Sequence, residues 1–199
     1  MMTTTTAFAN PTNLSNLNIP NTVTGYPSID WITKNNTILE NNYAVSSKPL
    51  HTISGLWMEK FLSTTSELYC TRYKFTDPGL TVTGIELALN VQRASRIQDL
   101  KIKLILNGVE IANGNNLAST INPVQSNMYV GTGPTDVYPV PVGNYNVYGG
   151  ELSLWGVTLT SAQIADPTFG VVISFHSNQI YPHTDLVYLD QASIRVTYA

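Results

Sequence analysis

LWGVTLTSAQIADPTFGVVISF, residues 154–175, sets two apolar, strand-like pieces around a single turn of helix. Thr160 or Ser161 can cap that turn, because a hydroxyl there accepts a hydrogen bond from an unpaired backbone N–H of the first turn. Ala162, Gln163 and Ile164 continue it. Pro167 stops it, and the residue before a proline avoids helical dihedrals. Gly170 restarts the chain as a strand over Val171–Phe175. The reading is a crossover that carries the chain from one sheet to another, with Ile164 and Phe169 plugging the end. The piece before it, Leu152–Leu159, reads as a strand with Trp155 in the core.

Working outward, the neighbouring segments alternate with period two, the signature of a sheet with one packed and one solvated face. Ile85, Leu87, Leu89 and Val91 alternate with Glu86, Ala88 and Asn90. Leu100, Ile102, Leu104 and Leu106 alternate with Lys101, Lys103 and Ile105. Asn107-Gly108 is the favoured two-residue hairpin turn, leading to a partner strand over Val109–Ala112. Tyr69, Tyr73 and Phe75 share one face of a strand whose other face carries Arg72 and Lys74. Ala192, Ile194, Val196 and Tyr198 alternate with Ser193, Arg195 and Thr197 in the last strand. About eight strands, tight turns and long connections predict an all-β fold, a two-sheet antiparallel jelly-roll sandwich with an extended N-terminal arm.

Composition agrees. Among 199 residues there are 24 Thr and 19 Asn, types suited to pleated surfaces and to turns respectively. Charged residues are 12%, about half the usual ~25%, and the net charge is −3. No basic field is present to hold a phosphate backbone, so neither nucleic acid nor an anionic membrane is expected as a partner. The start, MMTTTTAFANP, has neither the basic nor the apolar region of a secretory signal. No apolar run approaches a membrane span. A single cysteine, Cys70, leaves no internal disulfide and reads as a buried, inert thiol.

Two segments stand apart. Residues 1–54 read as an extended arm and linker ahead of a sandwich domain over 55–199. The first 25 residues carry no charge and are broken by Pro11 and Pro20. Their sparse apolar residues suit an arm lying on another surface, either a partner or its own domain, and equally a loose terminus. Phe8, Leu14, Leu17, Ile19 and Tyr26 are its candidate contact residues. Residues 113–150 are a long Gly-, Asn-, Pro- and Tyr-rich stretch. They form either a contact loop, through Tyr129, Tyr138 and Tyr145, or a loop folded over the sheet with its tyrosines half buried.

Chemistry-bearing motifs are thin. His176, His183 and Asp185 flank one loop and could hold a metal if a hairpin joined them, but the spacing matches no common zinc pattern and polar residues at a hairpin tip fit better. Asp136 and Asp185 offer weak support for calcium. No serine sits in a G-x-S-x-G elbow. Neither an enzyme nor a cofactor is expected.

Three idioms carry a resemblance. They are VTGIELAL (82–89), IQDLKIKLILNGVEIANGNN (97–116), and YGGELSLWGVTLTSAQIADPTFGVVISF (148–175) followed by ASIRVTY (192–198). Over about residues 66–199 the chain resembles a jelly-roll module common in bacteriophage virion structural proteins and in some bacterial surface proteins. The resemblance implies a capsid decoration or cement protein, made in the host cytoplasm and seated on the capsid surface. Its partners would be the major capsid protein and copies of itself, as a trimer or dimer. It implies no catalytic residues. A phage tail or surface module that binds carbohydrate or a receptor is the alternative, with loop tyrosines and Trp31 or Trp57 stacking on a sugar ring.

Overall fold

A computed structural model describes residues 3–17, 28–29, 31–32, 45–47, 64–65, 67–93, 97–118, 145–177 and 187–199. Along the chain the strands are β1 (Thr4–Thr5), β2 (Asn13–Leu17), β3 (Ser28–Ile29), β4 (Trp31–Ile32), β5 (Val45–Ser47), β6 (Thr64–Thr65) and β7 (Glu67–Thr71). Then come β8 (Val82–Arg93), β9 (Ile97–Leu106), β10 (Val109–Glu110), β11 (Tyr145–Gly150), the helix α1 (Ser161–Ala165), β12 (Gly170–Ser177) and β13 (Val187–Tyr198).

They form two sheets. In the first, β11, β8 and β13 lie side by side, and the far flank of β13 is shared end to end by β1 and β5, with β4 beside β5. In the second, β10, β9 and β12 are followed by β7 and β6, again end to end, with β2 beside β7 and β3 beside β6. Each sheet is therefore up to five strand positions wide, or four apart from the two-residue strands β4 and β10. The pairings are antiparallel except for the two-residue contact of β3 with β6.

Alternation drives one face of each long strand into a common core. Ile85, Leu87 and Leu89 of β8 and Ile194, Val196 and Tyr198 of β13 meet Leu68, Cys70, Ile102, Leu104, Val171, Ile173 and Phe175 from the second sheet. Burial of such side chains contributes roughly 1.5–3 kcal/mol each. The crossover behaves as its sequence predicts. Thr160 Oγ1 accepts from the Gln163 N–H at 3.2 Å and Gln163 Oε1 accepts from the Thr160 N–H at 2.9 Å, a reciprocal cap on α1. Asp166 itself is extended, a turn closed by the Phe169 N–H donating to Asp166 O at 3.0 Å follows, and Ile164 and Phe169 are buried at the end of the sandwich. The hairpin turn Asn107-Gly108 has both residues at positive φ, 57° and 76°.

Four sequence expectations are corrected. Residues 152–159 are not a strand. Trp155 (φ 57°) and Gly156 (φ 76°) reverse the chain, and Leu152 is 89% exposed. The strand is β11 instead, inside the stretch expected to be loop. Its Gly149 lets the Trp155 indole come close, since a Cβ there would sit 2.5 Å from Nε1. Second, β7 stops at Thr71, because Arg72 and Lys74 take left-handed φ of 60° and 61°. Tyr73 thereby turns into the core while Tyr69 stays on the outer face with Ile105 and Val172. Third, Leu100 is an exposed bulge residue. The β12–β9 register passes from Lys101 to Asp99 between Ser174 and Phe175. The extra residue switches parity, so Asp99 rather than Leu100 is buried. Fourth, Ile105 is buried on the outer face rather than solvated.

Candidate functional site

The expected contact residues do not gather into one site. Phe8 is 44% exposed, and its ring lies under the Arg195 guanidinium, 4.9 Å from centroid to Cζ. Leu14 and Leu17 sit in β2, opposite Cys70 and Glu67 of β7. Tyr145 opens β11 opposite Asn90. Ile19, Tyr26, Tyr129 and Tyr138 lie outside the described residues, as do His183, Asp185, Asp136 and Trp57. His176 lies in β12. Among the described residues no three His, Cys, Asp or Glu side chains are grouped to hold a metal. No helix among them is long and apolar enough to cross a membrane.

The leading segment runs along both sheets. Residues 4–9 add to sheet one: Thr4 and Thr5 pair with Tyr198 and Thr197, the Thr6 N–H donates to Val196 O at 2.9 Å, and Ala9 exchanges both backbone bonds with Ile194. The Asn10 carboxamide oxygen accepts from Gln191 and Ser193. Pro11 is buried at the crossing. The Thr12 N–H then donates to Thr71 O at 3.1 Å, and β2 pairs with β7 in sheet two. Glu86 meets Arg195 with two contacts, 2.9 and 3.1 Å, which fixes the guanidinium over Phe8. Only the Nη2 contact is a hydrogen bond, so the pair is an ion pair with one charge-assisted bond.

On the outer face of sheet two a chain of charges joins three strands. Glu67 of β7 pairs with Lys101 of β9, Lys101 also reaches Glu110 of β10 at 2.6 Å, and Glu110 reaches Lys103 at 2.6 Å. The Tyr69 hydroxyl donates to Glu67 at 3.0 Å. The Glu67–Lys101 bridge crosses over Ser174, whose register places it between them, and Ser174 is buried beneath with its hydroxyl unpaired. Desolvation alone would lower the Lys101 pKa, but its bonds to Glu110 and Glu67 outweigh that and raise it. Desolvation likewise would raise Glu110, and its bonds from Lys101 and Lys103 lower it instead. Tyr69 is pushed up, first by burial and then by Glu67. Burial pushes up the Cys70 thiol, which suits an inert core residue better than a nucleophile.

Sequence alternation marked Lys101 and Lys103 as one face but not their partners. The Asn107-Gly108 turn fixes Glu110 opposite Ile105 and so within reach, and that much is readable. Glu67 is brought in only by the non-local pairing of β7 with β12. Lys101→Met is expected to lower stability by about 1 kcal/mol, the sum of two partly exposed pairs. The lowered Glu110 pKa sets the sign on the acid side. Its contribution is full above the ordinary glutamate value of about 4.3 and is lost as pH falls through the lower folded value. The raised Lys101 pKa is the mirror case, with stability present below its ordinary value and lost as pH rises through the folded one. Urea midpoints of wild type and Lys101→Met across pH should therefore converge in acid; a constant gap down to pH ~2 contradicts the pairing.

The chain matches no protein-family model, no curated protein and no solved structure.

Proposed function

We propose that the protein is a non-enzymatic structural component of a bacteriophage virion, a decoration or cement protein that binds across subunits of the major capsid protein and stabilises the head. It acts as a homo-oligomer on the capsid surface. The observation that carries the reading is the leading segment, an uncharged strap laid along both sheets that holds Phe8 out to solvent on a fixed guanidinium.

The strand order supports a jelly roll as the finer description. The successive long strands β7, β8, β9, β11, β12 and β13 switch sheets at every step. β13 lies between β8 and the leader, and β12 between β9 and β7, an order that favours two interleaved Greek keys. That architecture serves in viral capsids and in lectins alike, so the choice between them rests on the strap and on the sequence idioms. Several weak contacts made together add avidity without one large interface. A ligand that binds only the assembled shell stabilises assembly by linkage.

Purified protein added to capsids assembled without it is expected to cosediment with them and to raise their temperature of disassembly. Phe8→Ala should weaken that association about tenfold, the equivalent of 1.4 kcal/mol, while leaving the protein's own melting nearly unchanged. Protein that stays in the supernatant yet binds a glycan array would replace this reading with the carbohydrate-binding one.

A further inference from the structure

The leader is held in a manner that suits exchange. Of residues 3–13, only Pro11 is buried; the rest are exposed or half-buried. What fixes the segment is a set of hydrogen bonds. These include the ladder to β13 through Thr4, Thr5, Thr6 and Ala9, the Thr5–Thr197 hydroxyl pair at 3.2 Å, the Val196 N–H donating to Thr6 Oγ1 at 3.0 Å, the bonds that Asn10 accepts from Gln191 and Ser193, and the Thr12 hydroxyl donating to Arg72 O at 2.8 Å. A segment with few buried apolar contacts and many backbone bonds near solvent opens with a small fraction of the global unfolding free energy. Opening has a cost of a different kind. It bares one flank of β13 over residues 194–198 and the flank of β7, two rows of unpaired N–H and C=O groups that act as templates for another strand.

We propose that residues 3–17 are an exchangeable pair of strands, and that at high local concentration they seat on β13 and β7 of a second copy of this chain. The occupant follows from complementarity. The vacated flanks bind Thr4–Ala9 and Asn13–Leu17 in a defined register, and the chain that carries that sequence is another copy. Exchanged and closed forms make the same ladder, the same hydroxyl pairs and the same Phe8–Arg195 contact, so they differ mainly in the linking segment and in the entropy of association. Crowding copies on a surface, or simply concentrating them, shifts the balance toward exchange. The inference concerns the protein in solution and does not depend on the capsid reading.

Thr5→Cys with Thr197→Cys places two thiols at register partners whose side chains already touch, the geometry a disulfide requires. Cys70 is buried and does not compete. Full-length double variant, one batch isotopically labelled and one not, is mixed reduced at high concentration, equilibrated and then oxidised. The expected result is covalent species at two or three times the chain mass, with cross-linked peptides that join a labelled to an unlabelled chain. Cross-links confined to one chain, at monomer mass, overturn the proposal. Complete absence of cross-links overturns it as well, since β1 would then not lie on β13. Should that variant fail to fold, Asn10→Cys with Ser193→Cys gives the same readout from a second touching pair.

Discussion

Trp155→Ala is expected to destabilise the protein by about 4 kcal/mol, within the 3–5 kcal/mol range for removing a buried tryptophan. Trp155 is 1% exposed, and its indole N–H donates to the Ile85 carbonyl at 2.9 Å. It ties the irregular stretch after β11 to the first part of β8, and the chain reverses around it at positive φ. Alanine would lose the buried area, leave a void beside Gly149 and the Ile85 carbonyl, and orphan one acceptor. The void is hard to refill, because Gly149 and the Ile85 backbone already stand at contact distance. Domains of this kind have only ~5–15 kcal/mol in total, so the variant should melt at a much lower urea concentration. Trp155→Phe separates the causes. It keeps most of the apolar volume and loses the donor, and should cost about 1–3 kcal/mol. Equilibrium urea denaturation followed by circular dichroism reads both, and a loss under ~1 kcal/mol for alanine would mean that the indole is not in the core.

The contrast between α1 and Trp155 shows what a sequence exposes and what it withholds. Thr160, Gln163 and Pro167 act within eight residues, so the local sequence alone predicts a cap at Thr160 or Ser161, the stop and the change of sheet. Asn107-Gly108 is similarly local, since positive φ at two adjacent positions is a property of those residue types. Residues 152–159 alternate almost as well as β8 does, yet they fold as turns. Trp155 and Leu159 are buried in the core with Leu154 and Val157 partly buried against it, while Leu152 is exposed, and apolar spacing alone cannot distinguish that from a pleat. Leu100 failed for a related reason. One bulge switches the parity of every residue beyond it, and the compensating feature, Asp99 buried against the Tyr148 hydroxyl at 2.7 Å, joins residues 49 apart in sequence.

The candidate site was less legible than the fold. Phe8 stands out as an apolar residue in a neutral leader, but Arg195 and Glu86, which orient it, come from the last strand and the middle of the chain. Leu14 and Leu17 are strand residues beside β7, paired by a ladder whose bonds carry no side-chain signature. The leader's Thr and Asn residues were read as composition. In the structure several of them are specific partners, Asn10 for Gln191 and Ser193, Thr5 for Thr197 and Asn13 for Thr71. An uncharged strap can lie on a sheet edge because its hydroxyls and carboxamides satisfy polar groups without the desolvation penalty of charges.

Gly170→Ala is expected to cost at least about 3 kcal/mol, at the upper end of what single substitutions do. Gly170 opens β12, the strand that holds β9 on one side and β7 on the other, and faces Thr71 and Ile105. A Cβ on Gly170 would lie 1.9 Å from the Cys70 carbonyl oxygen and 3.1 Å from the Thr71 Cα. Both are backbone atoms of a paired strand, so no side-chain rotation relieves the clash. The ladder between β12 and β7 must part, and β2, which hangs on β7, loses its support with it. Gly79→Ala is the control, with left-handed φ of 67° and nothing within 4 Å of the added carbon. It therefore reports conformational strain alone, about 1–2 kcal/mol. Urea midpoints should rank wild type above Gly79→Ala and Gly79→Ala well above Gly170→Ala, and hydrogen exchange should show lost protection in β7 and β2 before β8. Equal costs for the two alanines would mean that β7 and β12 are not in contact at this register, and the path of the leader along the second sheet would have to be redrawn.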